Sequence, residues 1–391
     1  MCLPHCPTYH ATQLESESPR GRIAIMQGLI ADQIENTQQA FAHIDNCLSC
    51  RACEKICPSN VSYGALLDQF KSQQQANLQP VRQRYLKSLL RFVLLHPQIN
   101  MILLTIAKIL KLHDVIGITK SRVPNTRAIY KTSQTDYPTT ANNIIKKNTV
   151  ALFVGCTGSS FDRQTLNDSI FVLNNLGYNV LISRTKTCCG ALDAHAGREA
   201  SAMNLASKNI STFNSLNADH IVYFATGCGA QLTEYHQIKW LTKQQQDNAL
   251  KFTNKLSELS KFIQLHWSEK IKLKNSVLSV AIHEPCTHRN VLKESDSCAK
   301  LISQFSNINI LTLKENKFCC GAAGDYMYSH KTMANTLRAA KLKEINQLTP
   351  DRLLTTNIGC ALHLRKGLGQ QKQLVPVMHP VSFIAELIVD A

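Results

Sequence analysis

One cysteine pattern occurs twice after residue 148, and it constrains the fold of this chain more than any other feature. In the first copy the apolar run VALFVG leads into Cys156. Cys188, Cys189 and Gly190 follow after 31 intervening residues, and Cys228 closes the set with 38 residues between it and Cys189. In the second copy LSVAIHEP leads into Cys286, Cys319, Cys320 and Gly321 follow after 32, and Cys360 closes with 39 residues between it and Cys320. Two four-cysteine sets matched to within one residue describe a duplicated unit.

Each copy alternates two kinds of segment. VALFVG, YNVLIS and HIVYFAT are short, apolar and β-branched, and residues 164–176 between the first two carry apolar positions at helical spacing. LSVAI, INILTL and RLLTT repeat the strands, and SHKTMANTLRAAKLKEINQL reads as a helix. The expected unit is α/β with a parallel sheet. Ligands collect at the carboxyl ends of such strands, so Cys156, Cys188, Cys189 and Cys228 are expected to converge there, and Cys286, Cys319, Cys320 and Cys360 likewise. Adjacent cysteines bridge each other poorly but can both bind one cluster, and the following glycine admits close backbone approach. Structural zinc is the competing reading of either set.

The chain opens on a different cysteine pattern. NCLSCRACEKICPSN places Cys47, Cys50, Cys53 and Cys57 at C-x2-C-x2-C-x3-C-P spacing. Two-residue gaps let the first three thiolates wrap one cubane cluster, while the fourth points to a neighbouring one. Cys2, Cys6 and Pro7 repeat only the second half of such a run. By crossed ligation, Cys6 completes the cluster of Cys47, Cys50 and Cys53, leaving Cys2 and Cys57 for a second cluster whose other ligands are missing. A start codon assigned too late, or natural loss of one cluster, accounts for the shortfall. Between the two runs, Ser18 and Pro19 read as an N-cap and first-turn proline, with Ile23, Met26, Ile30 and Ile34 following at helical spacing. The N-terminal region is therefore expected to be α-helical.

Fifteen cysteines in a chain long enough for ordinary cores need a chemical reason. The opening MCLPHCPTYH has no export signal, which argues for metal over disulfides. Lys and Arg total 43 against 27 Asp and Glu, so the chain is strongly basic. Composition alone does not choose between nucleic acid, anionic lipid and an acidic partner. No run reaches the roughly 18 apolar residues of a membrane span. In residues 76–147, Arg82, Arg84, Lys87, Arg91, Lys108 and Lys111 interleave with Leu, Ile and Phe. Two basic amphipathic helices broken near Pro97 fit this pattern, lying on an anionic membrane or packed on the cysteine-rich units. Cys298 falls outside every set. His283 and His288 flank Cys286, and His195 follows the first Cys-Cys-Gly; each could donate to a cluster, although a lone histidine is more often structural.

CPTYH, SPRGRI, NCLSCRACEKICPSNVSY, the basic middle, TGCGA at Cys228 and NIGC at Cys360 together resemble the iron-sulfur subunit of bacterial glycolate oxidase over essentially the whole chain. The resemblance implies an α+β multidomain protein: a helical 4Fe-4S domain over residues 1–75, basic helices and linker over 76–147, and CCG domains over 148–262 and 276–391. It implies one or two 4Fe-4S clusters at the N-terminus, a further iron-sulfur cluster in the CCG domains, and no catalytic residue on this chain. FAD-binding subunits would oxidise glycolate to glyoxylate, and this subunit would pass electrons toward quinone from the cytoplasmic face of the membrane, with no nucleic-acid partner. Two departures stand out: only Cys2 and Cys6 remain of the first run, and Ala225 and Asn357 occupy positions where heterodisulfide reductase subunits carry a fifth thiolate. The alternatives are the iron-sulfur subunit of anaerobic glycerol-3-phosphate dehydrogenase or of a lactate dehydrogenase, a catalytic disulfide reductase, and a zinc-stabilised binding module.

Overall fold

A computed structural model describes residues 1–74, residue 89, and residues 148–389 apart from 184 and 186. The basic helices expected over 76–147 thus fall, but for Leu89, outside the described residues. The N-terminal head is all helical: α1 (Pro7–Thr12), α2 (Pro19–Ile30), α3 (Gln38–Asp45), α4 (Ala52–Lys55) and α5 (Tyr63–Gln73). Ser18 caps α2 as expected, its Oγ accepting from Gly21 N at 3.0 Å with Pro19 at the first helical position. The apolar face of α2 is shifted from the expected one. Met26 and Leu29 enter the head core with Phe41, Ile44, Leu67 and Phe70, whereas Ile30 and Ile34 are exposed. The helix ends at Ile30 and the chain turns back through Asp32 at φ 53°, so Ile34 never joins that face.

Two four-stranded parallel sheets follow. Strands β1 (Thr149–Phe153), β2 (Asn179–Ile182), β3 (His220–Tyr223) and β4 (Leu256–Glu258) run in the order β2-β1-β3-β4. Strands β5 (Leu278–His283), β6 (Ile308–Leu311), β7 (Arg352–Thr355) and β8 (Val377–Met378) run as β6-β5-β7-β8. The short edge strands β4 and β8 carry no periodicity of their own and were not expected. The central strands β1 and β5 read as continuous apolar runs because helices cover both sheet faces.

The halves share one core. Val150, Leu152, Leu166 and Phe262 from the first half pack in one cluster with Val280, Leu301, Phe383 and Ile384 from the second. Helix Arg163–Asn175, after β1, packs on Pro380–Leu387, after β8; Leu259–His266, after β4, packs on Ser297–Ile302, which follows β5. The pairing is reciprocal, as a pseudo-two-fold axis between the copies requires. His379 fastens it: Nδ1 accepts from Val381 N at 3.1 Å, so Nε2 carries the proton and donates to Phe224 O at 2.9 Å. Among the described residues no helix is long and apolar enough to cross a membrane.

Candidate metal centres

The head loop curls because Ser49 and Arg51 adopt left-handed backbone, with φ of 49° and 55°. Cys47, Cys50 and Cys53 thereby face one hollow with Cys6, Thr8, Arg22 and Tyr63. It holds about 310 Å³ free of atoms, part of it open to solvent. Cys6 reaches it from the N-cap of α1, where Pro7 fixes the first turn. Burial pushes the Cys53 thiol well up, with Cys47 and Cys6 adding to the shift. Burial, then Cys286, pushes the Cys50 thiol up as well, so these two thiols favour the protonated form until a cation supplies neutralising charge, which a metal does. Cys2 and Cys57 do not line the hollow.

Sequence reasoning missed Arg22. It is 1% exposed. Nη2 donates to Glu17 Oε2 at 2.5 Å and to Thr8 Oγ1 at 3.1 Å, Nε donates to His43 O at 2.7 Å, and Nη1 lies 4.0 Å from Cys6 Sγ. The signal was present in SPRGRI. A Cβ on Gly21 would sit 1.9 Å from Glu15 O, so glycine is required where the preceding turn crosses α2, one residue before the buried cation. Tyr63 adds a hydroxyl donor to Cys47 Sγ at 3.6 Å.

Both repeated sets gather at the carboxyl ends of three adjacent strands. Cys156 follows β1, Cys188 and Cys189 follow β2, and Cys228 opens the helix after β3. Hydrogen-bonding contact links Cys156 to Cys188, and Cys189 to Cys188 and Cys228; these neighbours, then burial, drive the Cys156 and Cys189 thiols well up. In the second set Cys286 Sγ is 3.7 Å from Cys319 Sγ, and Cys320 Sγ is 3.2 Å from Cys360 Sγ. All fifteen cysteines are free of disulfides. The glycine of each Cys-Cys-Gly has positive φ, 82° at Gly190 and 89° at Gly321. A Cβ on Gly321 would meet Ala334 O at 2.6 Å, because helix Lys331–Leu348 crosses the loop there.

The surroundings of the two sets differ. Beside the first, Asn209 Nδ2 donates to Cys188 O at 2.8 Å and Tyr235 OH to Cys189 O at 2.8 Å. Beside the second lies Lys341, 2% exposed, donating to Glu315 O at 2.5 Å. Burial lowers its pKa while Cys320 and Cys319 oppose that shift. Of the histidines set aside in the sequence, His288 bonds Ser297 Oγ at 3.2 Å and His195 pairs with Asp68 at 3.4 Å, both structural; Cys298 is buried in the shared core.

The head docks over both halves. Asp68 pairs with His195, and Arg51 with Glu234, on the first. On the second, Asn290 Nδ2 donates to Cys50 O at 2.7 Å and Tyr326 OH to Asn46 Oδ1 at 2.6 Å. Cys50, Cys286 and Cys319 pack together with Leu48 and Tyr326, so the head hollow abuts the second set. The two repeated sets also approach each other, since Thr226 N donates to Thr356 O at 3.0 Å.

Three cysteine sets on pre-shaped loops, the second repeated set mostly buried and the head set beside a buried guanidinium, fit iron-sulfur clusters by donor chemistry. Comparison with known proteins agrees. Residues 1–62 match the 4Fe-4S dicluster domain family, and residues 150–233 and 280–365 match the cysteine-rich CCG domain family. The chain is a two-CCG-domain iron-sulfur protein. This CCG protein is 27% identical over 390 residues to the Bacillus subtilis protein named "Probable glycolate oxidase iron-sulfur subunit", covering 95% of this chain and 88% of that one. It is 28% identical to the Escherichia coli glycolate oxidase iron-sulfur subunit, covering 93% and 87%. It is 22% identical to lactate utilization protein A 1 of Bacillus anthracis, covering 61% of this chain and 98% of that one. The CCG protein is thus an iron-sulfur electron-transfer subunit of the oxidoreductase class.

Proposed function

We propose that this chain is the electron-transfer subunit of a glycolate dehydrogenase, working with FAD-binding subunits that oxidise glycolate to glyoxylate. That oxidation releases two electrons and two protons, and quinone takes up both on becoming quinol. Similarity to two glycolate oxidase iron-sulfur subunits along nearly the whole of each chain supports the reading. Bound clusters supply one-electron redox capacity, which lets a two-electron donor feed a distant acceptor. The chain's work is to hold them at fixed spacing and to exclude water. Cys6, Cys47, Cys50 and Cys53 are the proposed ligands of the head cluster. Cys2 and Cys57 are proposed for a second head cluster, which needs further ligands. Cys156, Cys188, Cys189 and Cys228 hold the first CCG cluster, and Cys286, Cys319, Cys320 and Cys360 the second.

The observation that carries an electron-transfer role is the packing of Cys50 against Cys286 and Cys319. It brings two donor sets from different folds close enough for the Cys50 and Cys286 thiols to influence each other electrostatically. The protein's place is at the cytoplasmic membrane face, supported by the basic residues of segment 76–147. Anaerobic purification of the native complex tests the reading: a flavoprotein that reduces the clusters on addition of glycolate is expected. A co-purifying flavoprotein that reduces them with glycerol 3-phosphate or lactate and not with glycolate would overturn it.

A further inference from the structure

The two repeats differ at one position facing the cysteines. Three residues before the first cysteine of each set stands Phe153 in β1 and His283 in β5. Their cross-strand partners differ in step: Phe153 is in register with Tyr223, and His283 with Thr355. An apolar and aromatic pair in one copy is therefore an imidazole and hydroxyl pair in the other.

His283 is 1% exposed. Its Nδ1 is 3.0 Å from Thr355 Oγ1, whereas Nε2 is buried with no hydrogen-bond partner. A ring nitrogen of His283 and the sulfurs of Cys320 and Cys360 all lie within 4.8 Å of one another, and all three residues are buried. A buried ring nitrogen without a partner carries a desolvation penalty unless something at the site satisfies it. The thiols do so poorly, since a sulfhydryl is a weak donor and acceptor. A metal ion does so well. Imidazole and thiolate occur together on iron, and a ligating histidine commonly has its other nitrogen fixed by a hydrogen bond, the position Thr355 occupies here.

We infer that His283 is an iron ligand of the second CCG centre through Nε2, which makes that centre a mixed nitrogen and sulfur site while the first is all sulfur. The inference rests on the cluster assignment proposed above. With Nδ1–H donating to Thr355 Oγ1, the Nε2 lone pair is left available to a metal. A neutral imidazole adds no negative charge where a further thiolate would, so the second centre is easier to reduce with His283 than with a cysteine at that position.

Pulsed EPR on the reduced holoprotein tests this without any variant. Protein grown with 15N-histidine should show the nitrogen coupling of a directly bonded imidazole converted from the 14N to the 15N pattern. His283→Asn should abolish that coupling. His283→Cys, which keeps a donor at the position, should stay loaded, lose the coupling and titrate at lower potential. A reduced cluster with no histidine coupling, or a coupling that survives in His283→Asn, would overturn the assignment. Iron and sulfide content in Cys319→Ser/Cys320→Ser separates the two readings: a fall is expected, and unchanged content would overturn the second cluster itself together with its histidine ligand.

Discussion

Asn290 Nδ2 donates a 2.7 Å hydrogen bond to the carbonyl of Cys50, tying a loop of the second CCG domain to the middle of the head's cysteine run. The carbonyl belongs to the residue whose thiol packs on Cys286 and Cys319. Replacing Asn290 with Leu leaves that carbonyl without its donor, at a cost of about 1–3 kcal/mol. The expected outcome is a head that detaches at lower denaturant concentration while the cluster content of the untreated protein is unchanged. Limited proteolysis across a urea series, with iron assayed in parallel, reads both.

Arg22 and Glu17 form an ion pair whose side chains are 1% and 7% exposed. Removing one member of such a pair strands the other, at about 3–5 kcal/mol. Arg22→Leu is expected to lose the head cluster while retaining both CCG centres. Arg22→Lys should retain part, since an ammonium supplies the charge but not the fork that reaches Thr8, Glu17 and His43 together. Iron and sulfide per chain, with visible absorbance, distinguish the three states.

Gly190 and Gly321 share a motif but not an environment. An added Cβ at Gly190 meets nothing nearer than 3.4 Å, whereas at Gly321 it meets a backbone oxygen at 2.6 Å. Gly190→Ala should cost only the positive-φ penalty, about 1–2 kcal/mol. Gly321→Ala should cost more and displace Cys319 and Cys320. Thermal unfolding of the two loaded variants side by side should order them that way.

Glu258 is fully buried at the N-cap of helix Leu259–His266, accepting from Lys261 N at 2.9 Å. Burial raises its pKa from 4.5 to about 7. Between those values the folded chain binds more protons than the unfolded one, so this group's contribution to stability falls as pH rises through that window. Glu258→Gln keeps an acceptor at the cap and removes the titration. Relative to the parent, it should gain roughly 3 kcal/mol on going from pH 4.5 to 8. Apparent melting temperatures at the two pH values check the sign.

The burial of His379 lowers its pKa from 6.5 to about 3. Here the unfolded chain binds the extra proton, so this contribution is present above pH 6.5 and is lost as pH falls toward 3. His379→Asn should therefore be destabilised near neutrality and show a shallower acid transition than the parent. Circular dichroism followed from pH 7 to 3 measures both.

Covalent spacing determined much of this protein from the sequence alone. Two-residue gaps place Cys47, Cys50 and Cys53 within reach of one centre whatever surrounds them, and the duplicated sets with their alternating strands and helices announce two parallel α/β units. The central strands β1, β3, β5 and β7 were legible as apolar runs of a covered sheet, and the edge strands β2 and β6 by their Val, Leu and Ile content. Strands β4 and β8 were not, being edge strands of three and two residues held by their neighbours. What required the tertiary structure was everything that depends on which surfaces meet. The shared core, the head seated with Cys50 against Cys286, and the burial of Arg22 and Lys341 arise from contacts between residues far apart in the chain, to which local periodicity is blind. His283 shows the division most clearly. Its place three residues before Cys286 could be read at once and discounted as a lone histidine. Only the fold showed a buried imidazole beside two thiols, with one ring nitrogen unpartnered, where the first repeat has Phe153.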